Sequence, residues 1–139
     1  MTTFFIVAYC WFAILFQQDQ MATLYIKVDG NSYEGKPVLV ALYNQYDEFL
    51  SDESFKNTSA LLKAGQNTLR IDKVPMGVYA VSLFVDINEN GALDTNWMGI
   101  PKEPYAFSNN AKGKFGPPEF KDARFLVDQK EVNISITIK

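Results

Sequence analysis

From residue 23 onward the chain is written in alternation. In residues 23–29, Leu24, Ile26 and Val28 fall on one side and Tyr25 and Lys27 on the other. That is the period of two of a half-buried β-strand. Residues 132–138 repeat the pattern more strictly, with Val132, Ile134, Ile136 and Ile138 alternating with Asn133, Ser135 and Thr137. Residues 36–43 (KPVLVALY) and 77–85 (GVYAVSLFV) are almost continuously apolar and predict central strands. Pro37 must then open its strand, where no ladder hydrogen bond is lost. Shorter strands are expected at 67–71 and 120–127. Turn clusters stand between them at Asp29-Gly30-Asn31-Ser32 and Pro75-Met76-Gly77. Only residues 45–63 fit neither period; Phe49, Phe55, Leu61 and Leu62 are spaced irregularly there, which predicts a short helix or an irregular excursion. About seven short strands with turn chemistry between them predict an all-β fold, an antiparallel β-sandwich of Ig-like or transthyretin-like Greek-key type. It forms one domain, residues 23–139.

Ahead of this domain, residues 4–16 (FFIVAYCWFAILF) are unbroken apolar sequence. The run is shorter than the ~20 residues a spanning helix needs and fits the apolar region of a secretory signal peptide. Residues 1–22 are therefore expected to be an export signal, leaving a periplasmic or extracellular domain with no membrane span after processing. Two features depart from that pattern: no Lys or Arg precedes the run, and no small-x-small site precedes Thr23. Tyr9 places a bulky side chain before Cys10, where a lipidation signal wants a small one, so lipidation is not expected.

Composition narrows the chemistry. Across 139 residues, Lys and Arg total 13 and Asp and Glu total 16, a formal charge of -3. With no basic block there is no electrostatic footprint for nucleic acid. Histidine is absent, which removes Ser-His-Asp and Cys-His catalysis and imidazole-held metals. Cys10 is the single cysteine, so there is neither an intrachain disulfide nor a thiolate cluster.

One long stretch breaks the alternation. Residues 86–118 are rich in Gly, Pro and Asn yet carry Trp97, Tyr105, Phe107 and Phe115. Loops of this length are uncommon in compact domains and are often functional. Its aromatics either pack back on the sandwich or offer a platform to sugar rings or a partner protein. Within it, Asp86, Asn88, Asn90 and Asp94 occupy positions 1, 3, 5 and 9 of an EF-hand-type loop, with Gly91 at position 6 and the Ala92 carbonyl at position 7. Calcium takes six to eight oxygens, and alternate residues of a tightly curling loop can converge on one ion. Position 12, which should close the site with a bidentate carboxylate, is Trp97; Glu103, Glu119 and Asp122 are the candidates to replace it. The competing reading is a β-hairpin with a type I′ turn at Asn90-Gly91. A hairpin calls for apolar alternation around the turn, whereas the alternating positions here bear oxygen. A calcium ion bound there would be weakly held and structural.

Taken together, several segments resemble a known family: Val74-Pro75-Met76-Gly77-Val78-Tyr79, then Phe84-Val85-Asp86-Ile87-Asn88-Glu89-Asn90-Gly91, then Gly99-Ile100-Pro101-Lys102-Glu103, then Tyr105-Ala106-Phe107-Ser108-Asn109-Asn110-Ala111, and finally Phe115-Gly116-Pro117-Pro118. They resemble the bacterial family designated domain of unknown function 2141. The likeness runs from about Thr23 to Ile138, and Asp86, Asn88, Asn90 and Gly91 match its Asp-x-Asn-x-Asn-Gly pattern. The resemblance implies an exported bacterial β-sandwich with no established activity. The expected function is thus a non-catalytic binding or envelope module with a structural calcium loop. The alternative is a carbohydrate-binding module using Trp97, Tyr105, Phe107 or Phe115. A hydrolase drawing paired carboxylates from Asp86, Asp94, Glu103, Glu119 and Asp122 ranks third, because glycosidases need two carboxyls at a set separation with one pKa raised, and nothing in the sequence marks such a pair.

Overall fold

The computed structural model describes residues 20–138. The apolar run 4–16 and Cys10 lie outside the described residues, and with them the expected export signal. Among the described residues no helix is long and apolar enough to cross a membrane.

Eight strands form two sheets: β1 (Met21–Asp29), β2 (Pro37–Tyr43), β3 (Lys56–Leu61), β4 (Gln66–Pro75), β5 (Gly77–Val85), β6 (Tyr105–Phe107), β7 (Phe125–Val127) and β8 (Glu131–Ile136). The smaller sheet has the order β4-β1-β8, and the larger runs β3-β2-β5-β6 with β7 also on β5. Their inner faces share one buried cluster: Leu24, Ile26 and Val28 from β1, Leu69 and Ile71 from β4, Val38, Val40 and Leu42 from β2, and Val81, Leu83 and Val85 from β5. The alternation read from the sequence is therefore the alternation between this core and solvent. β1 begins at Met21, two residues before the expected domain boundary, and Ala22 already belongs to the core.

Three expectations need correction. The sheets are not wholly antiparallel, because β1 and β8 run parallel, with Ile26 opposite Ile134. The chain between them builds the whole larger sheet, which supplies the long crossover a parallel pair requires. Of the two readings of residues 45–63 the helix is absent and the irregular excursion holds up to Phe55; what was not expected is β3 after it. β3 lies at a sheet edge with most of its side chains exposed, so no core imprints a period on it. The expected strand 120–127 is split. Phe120–Ala123 is one turn of helix, α1, and only Phe125–Val127 pairs with β5. Phe120 turns instead toward Phe49, ring centroids 5.8 Å apart, within a second cluster that holds Tyr43, Ala80, Phe107 and Ala123.

The split follows from how β5 is covered. One edge of β5 is paired by β2. The other carries β6 opposite residues 82–84 and β7 opposite residues 77–79. Between them the fully buried Ser108 accepts the Val81 N–H on Oγ at 2.9 Å and donates to the Ala123 carbonyl. A side chain thus stands in for the missing strand partner. Asn109 and Asn110 take positive φ (59° and 48°) and steer the chain off the edge.

The strands also fix two ends. β5 finishes at Val85 opposite Val38 of β2, so the 30–36 and 86–104 loops share one end. β1 starts at the other end, where Met21 faces Pro75. Ser108→Ala will leave a buried N–H and a buried carbonyl short of a partner, at a cost of about 1–3 kcal/mol. The urea midpoint should fall with an unchanged denaturant slope.

Candidate metal centre

The 86–94 loop is built outward from one carboxylate. Asp86 is still tied to the sheet, its N–H donating to the Pro37 carbonyl at 2.9 Å. Its side chain is buried (2% exposed) and accepts two backbone N–H groups: Asn90 on Oδ1 at 3.1 Å and Gly91 on Oδ2 at 2.7 Å. Reaching back this way requires the backbone to pass through left-handed conformations at Glu89 (φ 61°) and Gly91 (φ 78°); glycine takes that geometry without a Cβ penalty. Asparagine side chains stabilise the curl by bonding two residues ahead. Asn88 Oδ1 accepts the Asn90 N–H at 3.3 Å, and Asn90 Oδ1 accepts the Ala92 N–H at 3.0 Å. No strand pairing flanks Asn90-Gly91 among the described residues. The segment is a curled loop and not a hairpin.

The curl brings three side-chain tips together. Asn88 Nδ2 donates to Asp94 Oδ2 at 2.6 Å, and Asn90 Nδ2 donates to Asp94 Oδ1 and Oδ2 at 3.1 and 3.0 Å. Glu103 then fastens both limbs of the loop. Nearly buried (7% exposed), it accepts the Ile87 N–H on Oε1 at 2.8 Å and the Asp94 N–H on Oε2 at 3.1 Å. Of the three carboxylates considered as a substitute for position 12, Glu103 is the one at this loop. The other two serve α1: Asp122 accepts the Glu119 N–H at 3.3 Å, and Glu119 pairs with Lys121 at 2.7 Å. Lys36 reaches the loop from the start of β2, 3.3 Å from Glu89 Oε1.

These groups fit a hard cation only in part. Among the described residues no set of three or more Asp, Glu, His or Cys closes on a common point. The convergent donors are two amides and one carboxylate, with Asp86 and Glu103 behind them holding the backbone. Each amide or carboxylate oxygen has two lone pairs, so the oxygens of Asn88, Asn90 and Asp94 retain acceptor capacity beyond the bonds above. The amide nitrogens of Asn88 and Asn90 are the atoms that meet Asp94, so a cation would need both amides turned to present oxygen. The flexible, all-oxygen set that results suits calcium better than zinc or a softer metal. Beside it lies an open depression of about 390 Å³ lined by Ile87, Asn88, Asp94, Thr95, Lys102 and Glu103.

The four aromatics of the long loop are divided. Phe107 is buried in the second cluster, 6.2 Å from Phe49, so its expected role as a ligand platform is corrected. Tyr105 is half exposed and meets Phe107 edge-on at 70°. Trp97 (91% exposed) and Phe115 stand in solvent. Trp97 sits on a tight turn that sequence reasoning did not anticipate. Asn96 Oδ1 accepts the N–H groups of Met98 and Ile100 at 2.9 and 3.0 Å, and Thr95 bridges to Pro101. Its signal was the Asn-x-x-Gly spacing of Asn96 and Gly99, a turn signature.

Fold and loop together define a class: a small two-sheet β domain that carries an asparagine- and aspartate-rich loop at one end. Residues 26–135 match the family described as "Uncharacterized protein conserved in bacteria (DUF2141)", and the chain belongs to that family. No curated protein and no solved structure matches it.

Because Glu103 joins Ile87 to Asp94, Glu103→Gln replaces one accepting oxygen by a donor facing a backbone N–H. Stability should drop by about 1–3 kcal/mol, and amide exchange at Ile87 and Asp94 should accelerate ahead of the core strands. Unchanged exchange at both amides would show that Glu103 does not hold the loop.

Proposed function

We propose that this chain is an exported, non-catalytic module whose 86–94 loop binds a structural calcium ion. The observation that carries the reading is the convergence of Asn88, Asn90 and Asp94 in front of the backbone clamp made by Asp86. Asn88, Asn90 and Asp94 would supply side-chain oxygens and Ala92 its carbonyl. Asp86 and Glu103 would orient the loop and add negative charge. The ion would supply a positive centre that screens the repulsion between these carboxylates.

The chain's own residues do the rest. Asp86 fixes the turn, Gly91 permits it, and Glu103 keeps the two limbs from separating. Such a site binds at ~10⁻⁴–10⁻³ M, the range of extracellular modules, which agrees with the export signal read in residues 1–22. The distribution of carboxylates also supports a non-catalytic role, since Glu119 and Asp122 are engaged at α1, Asp86 and Glu103 hold backbone N–H groups, Asp94 accepts the two amides, and Glu89 pairs with Lys36. We further read the two sheets as a Greek-key sandwich, because the consecutive strands β4 and β5 lie in different sheets while β2 and β3 pair as neighbours. A second reading, contact with carbohydrate or a partner protein, rests on the exposure of Trp97 and Phe115.

Thermal melting in EDTA and in millimolar calcium tests the proposal. At a free calcium concentration tenfold above Kd the folded state gains ~1.4 kcal/mol, so the transition should rise. Asp94→Ala should melt alike in both conditions. Identical curves for the unaltered protein in EDTA and calcium would remove the ion.

A further inference from the structure

We propose that Asn90 is a self-modifying position: its side-chain amide is slowly converted to a carboxylate through a cyclic imide formed with the Gly91 nitrogen, and Asp86 sets the rate. The conversion is a modification site, and its co-reactant is water. Asn90-Gly91 is the sole Asn-Gly step in the sequence. The attacking nitrogen is unhindered, because Gly91 has no side chain and nothing lies within 4 Å of where a Cβ would stand. The Ala92 N–H, 3.0 Å from Asn90 Oδ1, polarises the carbonyl under attack.

Two carboxylates oppose the reaction. The nitrogen must lose its proton before it attacks, yet the Gly91 N–H donates to Asp86 Oδ2 at 2.7 Å. Removing that proton would break the bond and place a second negative charge beside Asp86. The leaving amide is also held, with Nδ2 donating to both oxygens of Asp94. When the loop opens, the Gly91 nitrogen gives its proton to solvent base and forms a bond to Asn90 Cγ. The Cγ–Nδ2 bond then breaks, and the amide nitrogen leaves as ammonia after taking up a proton. Water opens the imide at either carbonyl, giving aspartate or isoaspartate at position 90. A donor to Asp94 is thereby replaced by a like charge at contact distance, or the backbone gains an extra methylene inside the curl.

The full-length chain, held in EDTA at mildly alkaline pH and sampled by peptide mass spectrometry, tests this directly. Conversion should concentrate at Asn90, and Asp86→Ala should raise its rate about tenfold, the factor that corresponds to ~1.4 kcal/mol of barrier. The isosteric Asp86→Asn, which keeps one accepting oxygen, should fall between the two, and it carries the test if Asp86→Ala does not fold. Absence of conversion at Asn90, or equal rates in the unaltered protein and a folded Asp86 variant, would overturn the proposal. Asn90→Asp, standing for the product, should melt below the unaltered protein in EDTA; equal melting would refute the charge consequence. Calcium should shrink that difference, and this arm alone rests on the calcium reading. Its failure would remove the ion while leaving the EDTA rates to decide the modification.

Discussion

The Asp86 carboxylate is the constraint on which the functional end of the molecule depends. It is buried where β5 leaves the sheet, and its charge is met by two backbone N–H groups in place of a basic side chain. A buried carboxylate is costly unless its lone pairs are used. Those available here belong to residues four and five positions ahead, and only a left-handed path through Glu89 and Gly91 brings them within reach. The turn is therefore imposed by the need to solvate Asp86 from within. Asn88, Asn90 and Asp94 meet because of it.

The same economy governs the covered edge of β5. Two three-residue strands share that edge, and neither reaches Val81. Ser108 closes the gap with a hydroxyl, and Asn109 satisfies the carbonyls of Asp122 and Arg124 at 3.2 and 2.7 Å. Short polar side chains take over the ladder wherever the chain changes direction. That frees the long segment between Val85 and β7 to leave the sheet twice, first as the candidate site and then as the turn that seats Phe120.

Much of the fold was legible because a core imposes a period. Leu24, Ile26 and Val28 alternate for the same reason that Val132, Ile134 and Ile136 do, and both strands were placed from that pattern alone. What escaped was whatever the core does not touch. β3 sits at an edge and reads as loop. Residues 120–123 (FKDA) mix two apolar and two charged side chains, and Phe120 seeks an aromatic cluster assembled from β2, β6 and the 46–52 turns, a neighbourhood that sequence spacing does not encode. The parallel pairing of β1 and β8 is likewise invisible locally, since alternation fixes a strand's face and leaves its direction open. At the loop the spacing of oxygen-bearing residues singled out Asp86, Asn88, Asn90 and Asp94; the tips of the last three meet, while Asp86 turns to the backbone. The spacing left Glu103 as one of three candidates, because its approach depends on the Asn96 turn folding the chain back.

The make-up of the loop bears on the kind of control it can exert. A cage of carboxylates repels itself until an ion arrives, which makes ordering and binding one event. Here amides stand at two of the three convergent positions, and they donate to Asp94 in the place a cation would occupy. The loop is thus closed by its own hydrogen bonds. A cation would compete with bonds already made, so its net contribution stays small and the curl persists without it. Replacing either amide by a carboxylate shifts that balance, because the internal donor is lost at the same time as a charge is added. Position 90 is where the covalent chemistry of the Asn-Gly step and this electrostatic balance coincide, and Asp86 restrains the first while setting the geometry of the second.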